Sequence, residues 1–195
     1  MMVLDIESLK DAKITLTLIF VNVLMFVFFS VALPQENILL FVQINRNVIT
    51  NHEFWRLFTS LFFHGDILHL FSNMLGLLIF GATVENNQTI SNPKYLIIYF
   101  ISGLIGNLFT LILLPLDAIS LGASGAIFGL IGVAFIIVAT DSPPLLFYAI
   151  FYIAYFVVAS FAPGINLWAH IFGLLGGIIF GYFFYVRKRK VRLAY

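Results

Sequence analysis

The sequence predicts an all-α, polytopic membrane protein, a bundle of six transmembrane helices forming one membrane domain over residues 1–195. Three observations carry that prediction: the apolar excess, the length of the apolar runs and the placement of the basic residues. Hydrophobic residues make up 62% of the chain and charged residues 10%, against about a quarter charged in soluble domains. The mean hydropathy is +1.06. These values exclude an ordinary soluble domain.

A helix needs about 20 apolar residues to cross the hydrocarbon core. Charge-poor runs cut at Pro, Gly and polar clusters give spans over Ile14–Leu33, Ile67–Val84, Tyr95–Leu114, Leu121–Ala139, Leu145–Phe161 and Leu167–Val186. No Asp, Glu, Lys or Arg occurs from Ser142 to Val186, so "APGIN", with Pro163 and Gly164, is expected to turn the chain between the last two spans. The N-terminal "MMVLDIESLKDAK" carries three acids before a run long enough to span, which predicts an uncleaved first helix. The first outer loop, residues 34–66, is far longer than the others, and loops of that length are commonly functional or folded on themselves. Within it "NHEFWRLFTSLFFHG" reads as an interfacial segment with Trp55 at headgroup level.

Basic residues orient the bundle. Lys10 and Lys13 precede the first span, Lys94 lies in the loop after the second, and Arg187, Lys188, Arg189, Lys190 and Arg192 follow the last. Only Arg46 and Arg56 fall on the other side, so both termini are expected to be cytoplasmic and the long loop outside, in a cell membrane. A net charge of +1 without a basic, aromatic-interleaved stripe predicts no nucleic-acid partner. The absence of cysteine excludes disulfides, thiol catalysis and Cys-ligated zinc.

Parity then places chemistry. Spans two, four and six enter from the outer face, and their first turns hold His69 and Asn73, Ser124, and His170 at one depth. In "GASGAIFGL" a lone Ser124 is, taken alone, a packing residue whose hydroxyl bonds a carbonyl one turn back. His170 alone reads equally as a core histidine, and His69 and Asn73 alone as interhelical hydrogen bonders. Together they differ, because glycines at Gly125, Gly129 and Gly132 and at Gly173, Gly177 and Gly181 let spans four and six approach closely. That contact would set an imidazole against a hydroxyl, the minimum nucleophile and base. Asn73, His69 and the unpaired N–H groups at the start of span four would supply donors for an oxyanion.

With these residues the chain resembles the rhomboid family of intramembrane serine proteases from Glu53 to Val186. The resemblance rests on "WR" at Trp55 and Arg56, "HxxxN" at His69 and Asn73, "GxSG" from Gly122 to Gly125, and "AHxxGxxxG" from Ala169 to Gly177. It implies a Ser124–His170 dyad with no third acidic member. It also implies an oxyanion site of Asn73, His69, Gly122 and the Ser124 backbone N–H, with Trp55, Arg56, Gly125, Gly173 and Gly177 as supporting residues. The first outer loop would be partly embedded and span five would lie on the substrate-access side. Phe128 stands where many members carry a tyrosine packed on the catalytic histidine, so stacking is expected without a hydroxyl. Glu85 matches a family acid at the cytoplasmic end of span two, although "ENNQTISNP" lacks the glycine that usually follows.

Other polar residues read differently. Asp117 is expected to be a solvated loop acid. His64 lies five residues before His69, off a common helical face, and no HExxH motif occurs, so His64 is expected to brace the first loop rather than bind zinc. Tyr148, Tyr152 and Tyr155 with Phe147, Phe151 and Phe156 make span five bulky, for lipid contact or as a lateral gate. The expected function is serine endopeptidase action on single-span transmembrane proteins in the lipid bilayer near the outer face, with no metal or cofactor. The competing class is a non-catalytic client-binding relative or a small transporter, though no internal symmetry of the transporter kind is visible.

Overall fold

The computed structural model describes residues 6–187 and is mostly helical. A short α1 (Ile6–Asp11) leads into α2 (Lys13–Val27), which continues through a π-helical turn at Phe28–Ala32. The long loop holds a 3-10 stretch (Gln35–Leu40), a two-residue strand β1 (Gln43–Ile44), and short helices α3 (Asn45–Thr50) and α4 (Arg56–Thr59). The second span is α5 (Ile67–Gly76), a π-helical turn (Leu77–Gly81) and α6 (Ala82–Glu85) in one continuous rod. Then come α7 (Asn92–Leu113), β2 (Ile119–Ser120), α8 (Ser124–Asp141), α9 (Leu146–Ala159) and α10 (Leu167–Gly181), the last extended by a π-helical turn to Val186. Lys188, Arg189, Lys190 and Arg192 of the orienting basic cluster lie outside the described residues.

Among the described residues, five helical stretches are long and apolar enough to cross a membrane: Lys13–Ser30, Ile67–Glu85, Asn92–Leu113, Ser124–Asp141 and Leu167–Val186. The expected sixth is shorter. α9 has 14 residues, about 21 Å of helix against a core of about 30 Å. Pro143 and Pro144 put a 3-10 turn before it, and Ser160 ends it ahead of the Pro163–Gly164 turn. The six expected crossings thus become five full-length helices and one short apolar helix.

One boundary shifts for a physical reason that lies outside the helix. The fourth span starts at Ser124 rather than Leu121, because the residues before it are extended: Gln43 pairs with Ser120 and Ile44 with Ile119 in an antiparallel ladder. That ladder is the one departure from an all-helical fold among the described residues. It ties the long loop to the segment before α8, helped by Asn45 N–H donating to the Ala118 carbonyl at 3.1 Å and Arg46 N–H to that of Leu116 at 2.7 Å. The loop is therefore folded on itself, with Arg56, Ser60, Leu61 and His64 buried and Phe54, Trp55 and Phe58 facing outward.

At the opposite end Glu85 finds a role. Its carboxylate accepts from the backbone N–H groups of Ile14 and Thr15, both at 2.8 Å, so span two supplies the cap that the N-terminus of α2 lacks from its own side chains. Beside it the Thr15 and Tyr95 hydroxyls are 2.8 Å apart.

α8 is the central helix, buried from Gly125 to Ala134, and α10 and α7 pack most closely on it. Leu77, Tyr95, Ile98, Tyr99, Leu130 and Val133 form the tightest part of the core. The outer surface is apolar instead of charged: Phe20, Leu24, Phe71, Ile112, Phe147 and Val158 are exposed. Helices carry such a surface where the solvent is lipid, since their backbone groups are satisfied internally.

Candidate active site

The site begins with two helices in backbone contact. A Cβ added to Gly173 of α10 would lie 2.1 Å from the Gly125 carbonyl of α8, and one on Gly177 would lie 1.9 Å from that of Gly129. Only glycine permits this crossing. It brings Ser124, the first residue of α8, to His170 in the first turn of α10: Ser124 Oγ is 2.7 Å from His170 Nε2. Phe128, one turn below Ser124, stacks on the imidazole with centroids 4.2 Å apart and planes 12° off parallel.

The other ring nitrogen is also occupied. His170 Nδ1 lies 2.7 Å from the Oγ of Ser160, a buried residue at the C-terminal end of α9. Sequence reasoning missed Ser160. It has no helical spacing to His170, since the Pro163–Gly164 turn intervenes, and a serine ending a helix carries no functional signal of its own. Asp117, by contrast, is exposed in the turn before β2. Both His170 nitrogens go to serines rather than to an acid.

Against Gly122, two residues before Ser124, stands His69. Gly122 has φ +119, and a Cβ there would sit 2.8 Å from His69 Nε2, so glycine serves both the backbone conformation and the approach of the ring. The Gly122 N–H is taken by the Ser60 carbonyl at 2.9 Å, which leaves Gly122 to offer room rather than a donor. Asp66 caps α5 by accepting from the His69 N–H at 2.8 Å. Asn73, one turn on, donates from Nδ2 to the His69 carbonyl at 2.8 Å, while its buried Oδ1 has no hydrogen-bond partner. The first N–H groups of α8 have no carbonyl one turn earlier in their own helix. Ring, amide and backbone donors thus come from the starts of α5 and α8.

His64 packs edge-on against His69, ring centroids 5.0 Å apart, and neither of its buried nitrogens has a partner. Burial, aided by neighbouring His69 and opposed by Asp66, pushes the His64 imidazole down to about 3, so it is neutral at physiological pH. It is a wall behind His69.

The loop is held by Arg56, whose Nη1 donates to the carbonyls of Val42, at 2.9 Å, and Leu39, and whose Nε donates to Glu53. The hydrogen bond from Arg56 holds the Glu53 carboxyl below its usual range. Trp55 is exposed beside it. A second network ties this loop to the segments leading into Ser124 and His170. Asn166 caps α10 by accepting from Ala169 N–H at 3.1 Å, and its Nδ2 donates to Thr110 Oγ1 at 2.8 Å and Ser120 Oγ at 2.7 Å. Asn107 Nδ2 reaches the Leu57 carbonyl at 2.7 Å and Ser60 Oγ at 3.0 Å. The segments leading into Ser124 and His170 are therefore fastened to each other and to α7.

Comparison with known proteins identifies the family. Residues 51–187 match the model of the Rhomboid domain. The chain is 35% identical over 152 residues to the "Putative rhomboid protease YdcA" of Bacillus subtilis (strain 168), covering 74% of this chain and 73% of that one. It is 34% identical over 148 residues to RHOMBOID-like protein 1 of Arabidopsis thaliana, covering 73% of this chain but 37% of that longer relative. A shorter match, 39% over 82 residues, covers 42% of this chain and 22% of Inactive RHOMBOID-like protein 8 of the same plant. A domain match over most of the chain, relatives of this identity and several apolar helices of membrane-crossing length have one common explanation: the chain is a multi-pass membrane protein of the rhomboid family.

Proposed function

We propose that this chain is an intramembrane serine endopeptidase that hydrolyses a peptide bond in single-span transmembrane proteins near the outer face of the membrane. The observation that carries this reading is the 2.7 Å approach of Ser124 Oγ to His170 Nε2 at the N-terminus of the central helix. His170 takes the Ser124 proton as the hydroxyl attacks the scissile carbonyl, and returns it to the leaving amine; water, deprotonated by the same nitrogen, then releases the acyl group. The tetrahedral oxyanion forms beside the start of α8, within the arc of backbone N–H groups, the Asn73 amide and His69. A peptide carbonyl inside a helix is already hydrogen-bonded, so the substrate must unwind locally, and this polar cluster at the helix ends is where the exposed groups find partners.

The competing reading, a family member that binds membrane clients without cutting them, draws on the relative named inactive. One experiment separates the two. A fluorophosphonate probe should label the full-length protein in membranes, and a single-span reporter should be cut. Ser124→Ala and His170→Ala should each abolish both activities while the folded protein persists, and the double variant should be no worse than either single one, because the pair acts as a unit. Labelling that survives Ser124→Ala would place the nucleophile elsewhere; a folded wild type that neither labels nor cuts would favour the binding reading.

A further inference from the structure

Three groups meet at Ser160. Its Oγ lies 2.7 Å from the Phe156 carbonyl, one turn back on α9, and 2.7 Å from His170 Nδ1. A hydroxyl has one proton to give, and a carbonyl has none. If Ser160 gave its proton to His170, two oxygen lone-pair regions would face each other at 2.7 Å with nothing between them. With the proton on the Phe156 side, Ser160 accepts, and the bond to the ring is made by an N–H on Nδ1. A neutral imidazole carries one N–H, so Nε2 is then left with its lone pair aimed at Ser124.

We infer that Ser160 is a positioning residue for the reaction, holding His170 in the Nδ1–H tautomer and fixing its ring so that Nε2 is free to take the Ser124 proton. The inference rests on the reading of Ser124 and His170 as nucleophile and base. Ser160 would do for His170 what a buried carboxylate does in Ser-His-Asp sites, choosing tautomer and orientation without itself exchanging the proton. A hydroxyl suits this position, because an unpaired carboxylate at membrane depth is costly, whereas a serine whose proton is spent on a helix carbonyl is a neutral acceptor. Phe128 stacking restricts the tilt of the ring, and Ser160 restricts its rotation about the stacking axis. Together they leave one orientation.

The test reads the ring itself. Full-length protein with 15N-labelled histidine is taken into detergent micelles, and the His170 signals are assigned by their absence from His170→Ala. The wild type should show a protonated Nδ1 and an unprotonated Nε2. Ser160→Ala should move both nitrogens toward averaged values and slow fluorophosphonate labelling of Ser124 by between about 10-fold and 10⁴-fold, the upper figure being that for a triad locked in the wrong tautomer. Ser160→Thr should restore shifts and labelling, since threonine makes the same bond to the carbonyl one turn back. Should Ser160→Ala not fold, Ser160→Cys, whose thiol is a weak acceptor, takes its place. A wild-type ring protonated on Nε2, or a Ser160→Ala variant with unchanged shifts and labelling, overturns the inference. A wild type with the expected shifts but no labelling would instead count against the nucleophile, which keeps the two failures apart.

Discussion

Asn73 carries an energetic contradiction. Its Nδ2 bonds the His69 carbonyl, yet its Oδ1 is buried without a partner, an arrangement that costs about 1–3 kcal/mol for the unpaired acceptor. A residue kept only for packing would be better replaced by an apolar one. The amide has a second N–H, and in the proposed reaction that proton faces charge only when the oxyanion forms. Asn73→Ala should therefore lower kcat on a cleaved reporter by roughly 10²–10³-fold, the range for losing one oxyanion donor. Thermal unfolding should shift little, because the orphaned oxygen leaves together with the local bond. Normal turnover with a much lower melting temperature would return Asn73 to a packing role. His69, Asn73, Ser124 and His170 were legible in the sequence because each is a polar group in an apolar run, where polarity needs a reason. Ser160 was not, since its meaning lies in two distances and a proton count that no spacing encodes.

Among elements, the crossing of α8 and α10 sets the distance between Ser124 and His170, the proposed nucleophile and base, and the neighbouring glycines of α10 test it. Gly177 has the Gly129 backbone where its side chain would be, and backbone cannot yield; Gly176 has 3.3 Å to the end of the flexible Ile105 side chain. Gly177→Ala should push the helices apart, cost about 1–3 kcal/mol or more as overpacking does, and remove fluorophosphonate labelling. Gly176→Ala should stay near wild type in both melting temperature and labelling. Equal damage from the two would mean that glycine content, not the close approach, is what α10 requires. Helix existence was readable from hydropathy, but two ends were not. The start of α8 is set by β2 pairing with a strand from the distant long loop. The length of α9 is set by prolines at one end and by Ser160 turning inward at the other.

For the whole molecule, the asymmetry of basic residues predicts which side the site faces. A reporter fused after Tyr195 should be read in the cytoplasm, and a tag in the loop holding Arg46 should be accessible from outside. The opposite pattern would turn the helix starts bearing Ser124 and His170 toward the cytoplasm and overturn the proposed outer-face cleavage. The sequence by itself determined a membrane protein, the order of its apolar helices, the shared depth of four polar residues and the glycine faces that could join them. These follow from hydrophobicity, charge and period, which are properties of neighbouring residues. Only the tertiary structure decided that the long loop pairs with the segment before α8, that Glu85 caps the first span, and that His170 is gripped from both ring nitrogens by serines on two other helices. Each of these is a hydrogen bond between residues with no local relationship, and a polar group under lipid must take whichever partner the packing brings within reach.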